Sequence, residues 1–215
     1  MATFAGDMID DLRDRLNDVA DSQVPFATKL RFLNRGMAAM YPKIHQLVRD
    51  STLTVGTAFE YTFPAGVGTG KVLTIEIETG SASARFVPLN RYDIIPSGTA
   101  PTLVLMDSAL PAPVGSKFRI TTADRLTPYV AANYTASQSV AYTGPAGTEE
   151  LPVLYAMGLA TARALDDRMD YTRYSVTQVN NAVDPNDIMQ VSQFWFAQFE
   201  LLLERLAMPF PVSRG

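Results

Sequence analysis

At 215 residues, with 47% hydrophobic and 19% charged side chains, the chain has the make-up of a globular protein of one large or two small domains, which excludes a disordered polymer. A net charge of −4 leaves no basic excess to hold nucleic acid by its phosphates, and the lack of cysteine removes disulfides, thiol nucleophiles and thiolate metal sites. No apolar run approaches the roughly 18 residues of a membrane span, and the opening Met-Ala-Thr-Phe-Ala-Gly-Asp has neither the basic start nor the apolar run of a signal peptide, so synthesis in the cytoplasm is expected.

The first predicted element is a helix over residues 4–19, with Met8, Ile9, Leu12, Leu16 and Val19 on one side and Asp7, Asp10, Asp11, Arg13, Asp14 and Arg15 largely on the other. Asp21-Ser22-Gln23-Val24 breaks it, and Pro25 is placed as the first residue of a second helix. That helix carries Phe26, Leu30, Leu33, Met37 and Met40 and should end near Tyr41-Pro42, after which Pro42 starts a short turn through Ile44, Leu47 and Val48.

At Ser51 the period changes from helical to alternating. Leu53, Val55, Thr57, Phe59, Tyr61 and Phe63 take every second position, and Lys71–Glu78 repeats the pattern with Leu73, Ile75 and Ile77 on one face. Shorter strands are predicted at Arg85–Leu89, Tyr92–Ile95, Thr102–Asp107, Lys117–Thr121 and Tyr134–Tyr142, separated by Gly-, Ser- and Pro-rich turns. This spacing indicates an antiparallel β-sandwich or small β-barrel over residues 51–143.

Gly144-Pro145-Ala146-Gly147 is a linker by composition, and Thr148-Glu149-Glu150-Leu151-Pro152 opens a helix with its acids in the first turn. Leu151, Leu154, Tyr155, Leu159, Ala162 and Leu165 form its apolar face, while Ala156, Gly158, Ala160 and Ala164 permit close approach by other helices. The last helix starts at Asp184-Pro185-Asn186-Asp187, with Asp184 as cap and Val183 and Ile188 as a hydrophobic staple. Ile188, Val191, Trp195, Phe199, Leu202 and Leu206 make one stripe, and Phe194, Leu201 and Leu203 widen it beyond what one neighbouring helix covers. It is therefore the expected central helix. Met208-Pro209-Phe210-Pro211-Val212 reads as an extended tail over 208–215.

Neither end of the chain covers its own apolar surface. The two N-terminal helices span fewer than 50 residues, too few to stand alone. The economical arrangement is α+β: a helical bundle formed by both chain ends, 1–50 with 144–207, and a β module inserted between them.

Candidate chemistry is sparse. Gly66-Val67-Gly68-Thr69-Gly70-Lys71 invites comparison with a phosphate loop, but Ala65 stands at the first glycine position, Val72 where Ser or Thr is needed, and a strand follows. A hairpin loop is the reading. His45 is the only histidine and has no neighbouring acid in sequence, so a solvated or structural histidine is expected and not a catalytic one. Asp166, Asp167 and Asp170, like Asp7, Asp10, Asp11 and Asp14, lack calcium-loop spacing and are interleaved with arginines, as salt-bridged faces are. Lys29, Arg31, Arg35, Lys43 and Arg49 form the basic concentration, read as an exposed rim. No catalytic residue, metal site or cofactor is expected.

Four stretches carry a resemblance. They are Ile9-Asp10-Asp11-Leu12-Arg13-Asp14-Arg15-Leu16; Leu30-Arg31-Phe32-Leu33-Asn34-Arg35-Gly36; the Leu151-Pro152 helix start leading to Asp166-Asp167-Arg168; and Phe194-Trp195-Phe196 running to Leu206. Their order resembles the head-to-tail adaptor (connector, head-completion) proteins of tailed bacteriophages. The β-rich insert, with Phe86-Val87-Pro88-Leu89 and Tyr92-Asp93-Ile94-Ile95, is similar to inserts in some siphophage members.

The resemblance implies a structural virion protein in the neck. It would form a ring, commonly of about twelve subunits, beneath the portal protein and above a stopper or tail-completion protein, with DNA passing through the lumen. An acidic chain suits that, since a like-charged lumen repels phosphate and lets DNA slide. A ring needs heterologous contacts, and the contact candidates are Phe194, Leu201, Met208, Phe210, Val212 and Arg214, the tail reaching the portal. The competing expectation is a ligand- or carbohydrate-binding β-sandwich, which needs Tyr61, Phe63 or Tyr92 grouped on an exposed sheet face.

Overall fold

A computed structural model describes residues 3–64, 67, 71–79, 85–96, 100–106, 112–174 and 185–208 (for 71, 164–174 and 185–188 the backbone alone). It is an α+β structure in two compact units, Met1–His45 with Arg125–Pro209, and Gln46–Asp124. Among the described residues no helix is long and apolar enough to cross a membrane.

The first unit holds α1 (Ala5–Leu16), α2 (Phe26–Met40), α3 (Tyr134–Ser137), α4 (Glu150–Tyr174) and α5 (Pro185–Leu206). The expected first helix over 4–19 stops at Leu16 because Asn17 turns left-handed (φ 51°), which asparagine tolerates. Val19 consequently leaves the apolar side and is 69% exposed. Asp7 reaches back to accept the Phe4 N–H at 2.8 Å, closing the other end of α1. On α2, Pro25 is the cap residue and not the first helical one.

The central helix is α4, and this corrects the expectation that α5 would be. From Leu151 to Ala160 nearly every residue of α4 is buried, and the helix packs against α1, α2 and α5. A helix covered on all sides has no stripe to show in its sequence. Its small residues set the approach distances. A Cβ on Gly36 of α2 would lie 2.8 Å from the Pro152 Cα, and one on Gly158 of α4 would lie 2.9 Å from the Phe196 ring of α5. By contrast α5 buries Ser192, Phe199 and Leu203, leaves Trp195, Leu202 and Leu206 half-buried against the core, and turns Met189, Val191, Phe194 and Leu201 outward.

The second unit contains two antiparallel sheets, of order β1-β7-β3-β4 and β2-β6-β5. The strands are β1 (Gln46–Asp50), β2 (Glu60–Thr62), β3 (Lys71–Thr79), β4 (Arg85–Pro88), β5 (Tyr92–Ile95), β6 (Thr102–Leu105) and β7 (Phe118–Asp124). Both sheets contribute to one apolar core, in which Ile75, Ile77, Phe118 and Ile120 meet Tyr61, Leu103 and Leu105. The Tyr61 and Phe118 rings stand edge to face with centroids 5.1 Å apart. Among the described residues the strands do not close into a barrel.

Both unit boundaries differ from 51 and 143. The turn expected through Leu47 and Val48 is instead β1, which pairs along β7 from Gln46↔Asp124 to Asp50↔Ile120. The free edge of β7 demands a hydrogen-bonding partner, and this outweighs local propensity. The strand expected at Tyr134–Tyr142 is replaced by α3, capped by the Asn133 side chain accepting the Ala136 N–H at 2.9 Å. The residues after it run beside the N-terminus, where Val140 O accepts the Ala5 N–H and Thr3 O the Tyr142 N–H, each at 2.8 Å. The long strand expected from Leu53 to Phe63 breaks in two. Leu53–Val55 lies against Ser116–Phe118 of the first sheet, and Glu60–Thr62 pairs with Thr102–Val104 of the second.

Candidate interaction surface

The helical unit presents an apolar face on α5. At about 100° per residue, Phe194 sits about 140° around the helix from Phe199, and Leu201 about 160° from Leu203. The inner residues are fixed. Phe199 is edge-on to Tyr155 at 5.1 Å, Phe196 does the same at 5.2 Å, and Ser192 Oγ donates to the Gly158 carbonyl at 2.9 Å. Fixing that side leaves Phe194 52% and Leu201 56% exposed, with Met189 and Val191 nearly as open. Phe194 stands edge-on to Trp195 at 5.2 Å, so its ring is braced and remains turned to solvent. A braced aromatic beside an aliphatic is what an interface anchor requires.

Beside this face, between the end of α2 and the C-terminal half of α5, lies a groove of about 690 Å³. Tyr41, Pro42, Tyr155, Phe199, Leu201 and Leu203 line it, with Glu200 and Glu204 at the rim. Lys43 makes an ion pair with Glu204, and the Lys43 carbonyl accepts the Met208 N–H at 2.9 Å. The chain therefore leaves α5 tied to the groove's edge. Of the six contact candidates, Phe194 and Leu201 lie on the exposed side of α5, whereas Met208 is half-buried against the core and bonded to Lys43. Phe210, Val212 and Arg214 lie outside the described residues.

The basic rim expectation fails at Lys29, whose side chain is fully buried. Its ammonium donates to Asp18 Oδ2 at 2.9 Å, Asp18 O at 3.0 Å and Asp21 Oδ1 at 2.7 Å. Arg13 clamps Asp21 with two bonds of 2.9 and 2.6 Å and also reaches Asp10. Tyr134 donates its hydroxyl to Asp10 at 2.6 Å and lies under the Arg13 guanidinium. Burial alone would raise the Asp18 carboxyl, but the Val24 N–H, Lys29, the Gln23 N–H and Ser22 together hold it well below the usual carboxylate range. Asp21 is lowered chiefly by its bonds from Arg13. The network ties the α1–α2 turn shut. A lysine flanked by acids on the preceding turn, Asp18 and Asp21, was the available signal for it.

Elsewhere the sequence candidates occupy structural positions. His45 is buried, with Nδ1 3.3 Å from the Pro42 carbonyl. Asp11 pairs with Arg15. The side chains of Asp166, Asp167 and Asp170, and the glycines at 66, 68 and 70, lie outside the described set. Tyr61 and Phe63 are core residues, 7% and 3% exposed, so they form no platform for a sugar. Among the described residues no group of three or more His, Asp or Glu could hold a metal ion.

No family model matches the chain, and no curated protein matches it either. Among solved structures, a chain in the virion of a native gene transfer agent particle is 18% identical, with 90% of this chain and 91% of that one covered, at a TM-score of 0.33. Another, from the neck of an empty gene transfer agent particle computed with C6 symmetry, is 20% identical over 91% and 94% of the two chains, at a TM-score of 0.31.

Proposed function

We propose that this chain is a structural subunit of the neck of a phage-like particle, a head-to-tail adaptor that closes into a ring under the portal, joins capsid to tail and lets DNA through. The observation that carries the reading is the outer face of α5. A helix anchored through Ser192, Phe199 and Leu203 holds Phe194 and Leu201 out to water, where a monomer gains nothing from them. Covering the exposed part of each contributes roughly 1 kcal/mol. That is modest for one pair of subunits, but it recurs at every joint of a closed ring. The order of elements, with helices before and after the β unit, supports the same reading, as does the net charge of −4, which keeps a DNA channel from binding its cargo.

Electron microscopy of the protein mixed with portal, or in assembled particles, tests this. Rings with a central channel are the expected result. A protein that stays monomeric beside portal rings at every concentration would refute it. Of the aromatics the carbohydrate-binding alternative needs, Tyr61 and Phe63 belong to the core of the β unit and Tyr92 is partly buried against it.

A further inference from the structure

α2 contains no acidic residue, and its solvent-facing side carries Arg31, Arg35 and Ala38 at steps of four and three. Neither arginine has an ion-pair partner among the described residues, and Arg31 reaches only the Phe32 ring, at 5.8 Å. On the same stretch of α2, Asn34 holds a loop. Its side-chain carbonyl accepts the Tyr129 N–H at 2.7 Å and its amide donates to the Tyr129 carbonyl at 2.9 Å. The Tyr129 hydroxyl is fixed in turn by the Met8 sulfur at 3.1 Å. The next residue, Val130, is thereby held beside the turns that carry the two arginines and is 85% exposed. The result is a rigid apolar point flanked by two unmatched cations.

The outer face of α5 has the complementary make-up. Phe194 and Leu201 form its apolar centre, and Glu200, exposed and with no ion-pair partner among the described residues, lies about 100° round the helix from Leu201. Glu204, further along the same flank, is taken by Lys43, and Arg205 lies about 140° from Glu200 on the far flank. The dimensions agree as well. Arg31 to Ala38 and Phe194 to Leu201 are equal spans of about 10 Å at ~1.5 Å per residue, and the small side chain of Ala38 leaves room for an aromatic ring. Each patch thus has an apolar centre and a charged edge, the edges are of opposite sign, and each is left unmatched by its own subunit, as the two halves of a specific contact are.

We infer that the α5 face of one copy docks on the α2–Val130 patch of a second copy, with Glu200 against Arg31 and Arg35 and with Phe194 and Leu201 around Val130 and Ala38. The two patches differ, so the contact is heterologous and passes from subunit to subunit. The inference rests on the self-assembly reading above and names the surface that receives the α5 face.

The chain has no cysteine, so introduced thiols carry no background. The test mixes full chains bearing Val130→Cys with isotopically heavy full chains bearing Leu201→Cys and adds a short bis-maleimide. Both positions are exposed, and an unchanged urea midpoint checks that each variant is folded. Links between the two kinds of chain should exceed links within either kind by roughly tenfold. Glu200→Arg in the Leu201→Cys chain should reduce the mixed product by roughly tenfold, and adding Arg31→Glu and Arg35→Glu to the Val130→Cys chain should restore it. Links between like chains that equal or outnumber the mixed ones, no link up to about millimolar protein, or indifference to Glu200→Arg would each overturn the inference. Rings on portal in which these two positions never join would remove this contact and leave the ring. Mixed links that respond to charge in a protein that forms no ring on portal would keep the contact and remove the ring.

Discussion

Replacing Lys29 by methionine tests whether the buried charge network holds the helical unit together. The substitution keeps the length of the side chain and removes only the ammonium. Asp18 then keeps its four donors, the N–H groups of Ser22, Gln23 and Val24 and the Ser22 hydroxyl, but loses its counter-charge inside the protein. Asp21 retains Arg13. Breaking a buried pair by removing one partner costs about 3–5 kcal/mol, and the surviving donors put the expected loss near the lower end, about 3 kcal/mol. With a urea dependence of about 1–3 kcal/mol per molar, the midpoint falls by about 1–3 M. Trp195 is the only tryptophan and sits on α5 in the same unit, so its fluorescence follows the relevant transition. The pH dependence supplies a second reading. The Asp18 carboxyl is depressed in the folded state, so its contribution is present above the unfolded value of about 3.9 and is lost as pH falls from there towards the folded value. Lys29→Met weakens that depression and should flatten the loss of stability below about pH 4. A midpoint unchanged at pH 7, or the same steepness in acid, would refute the reasoning.

Phe194→Ser and Leu201→Ser change a solvent-facing stripe, so each should alter stability by no more than about 0.5 kcal/mol in a urea titration while reducing ring formation on portal, scored by electron microscopy. Gly36→Ala would gain up to about 1 kcal/mol from helix propensity. Its Cβ, however, lies 2.8 Å from the Pro152 backbone, so a net loss of about 1–3 kcal/mol is expected in thermal or urea unfolding. Burial, opposed by the Thr148 bond and assisted by Glu149, pushes the Tyr142 phenol up to about 12. A raised phenol stabilises the folded state below the unfolded value of about 10, and that contribution is lost as pH climbs towards 12. Tyr142→Phe should therefore make alkaline unfolding shallower, as measured by circular dichroism against pH.

Elements governed by their own residues were legible without coordinates. Tyr92–Ile95 is the strand that its alternation announces, and Lys71–Thr79 differs from expectation by one residue at its end, with a bulge between Val72 and Thr74 interrupting the pattern at Leu73. The helix through Leu30, Leu33 and Met37 ends at Met40, just before Tyr41-Pro42. The width of the last helix's stripe was legible too, but it argues for burial on several sides, whereas the fold leaves Phe194 and Leu201 exposed.

What the sequence by itself determined, then, was period, because it arises from residues within a few positions of one another. Tertiary structure alone decided that Gln46–Asp50 becomes a strand, since the need comes from the open edge of Phe118–Asp124, some seventy residues away. It likewise decided that α4 and not α5 is central, because alanine and glycine earn their place through what approaches them and carry little hydropathy of their own. Lys29 became a buried residue for the same reason: a charge goes inside only when a fold brings it enough partners, and Asp18, Asp21 and Arg13 assemble around it only once the α1–α2 turn has closed.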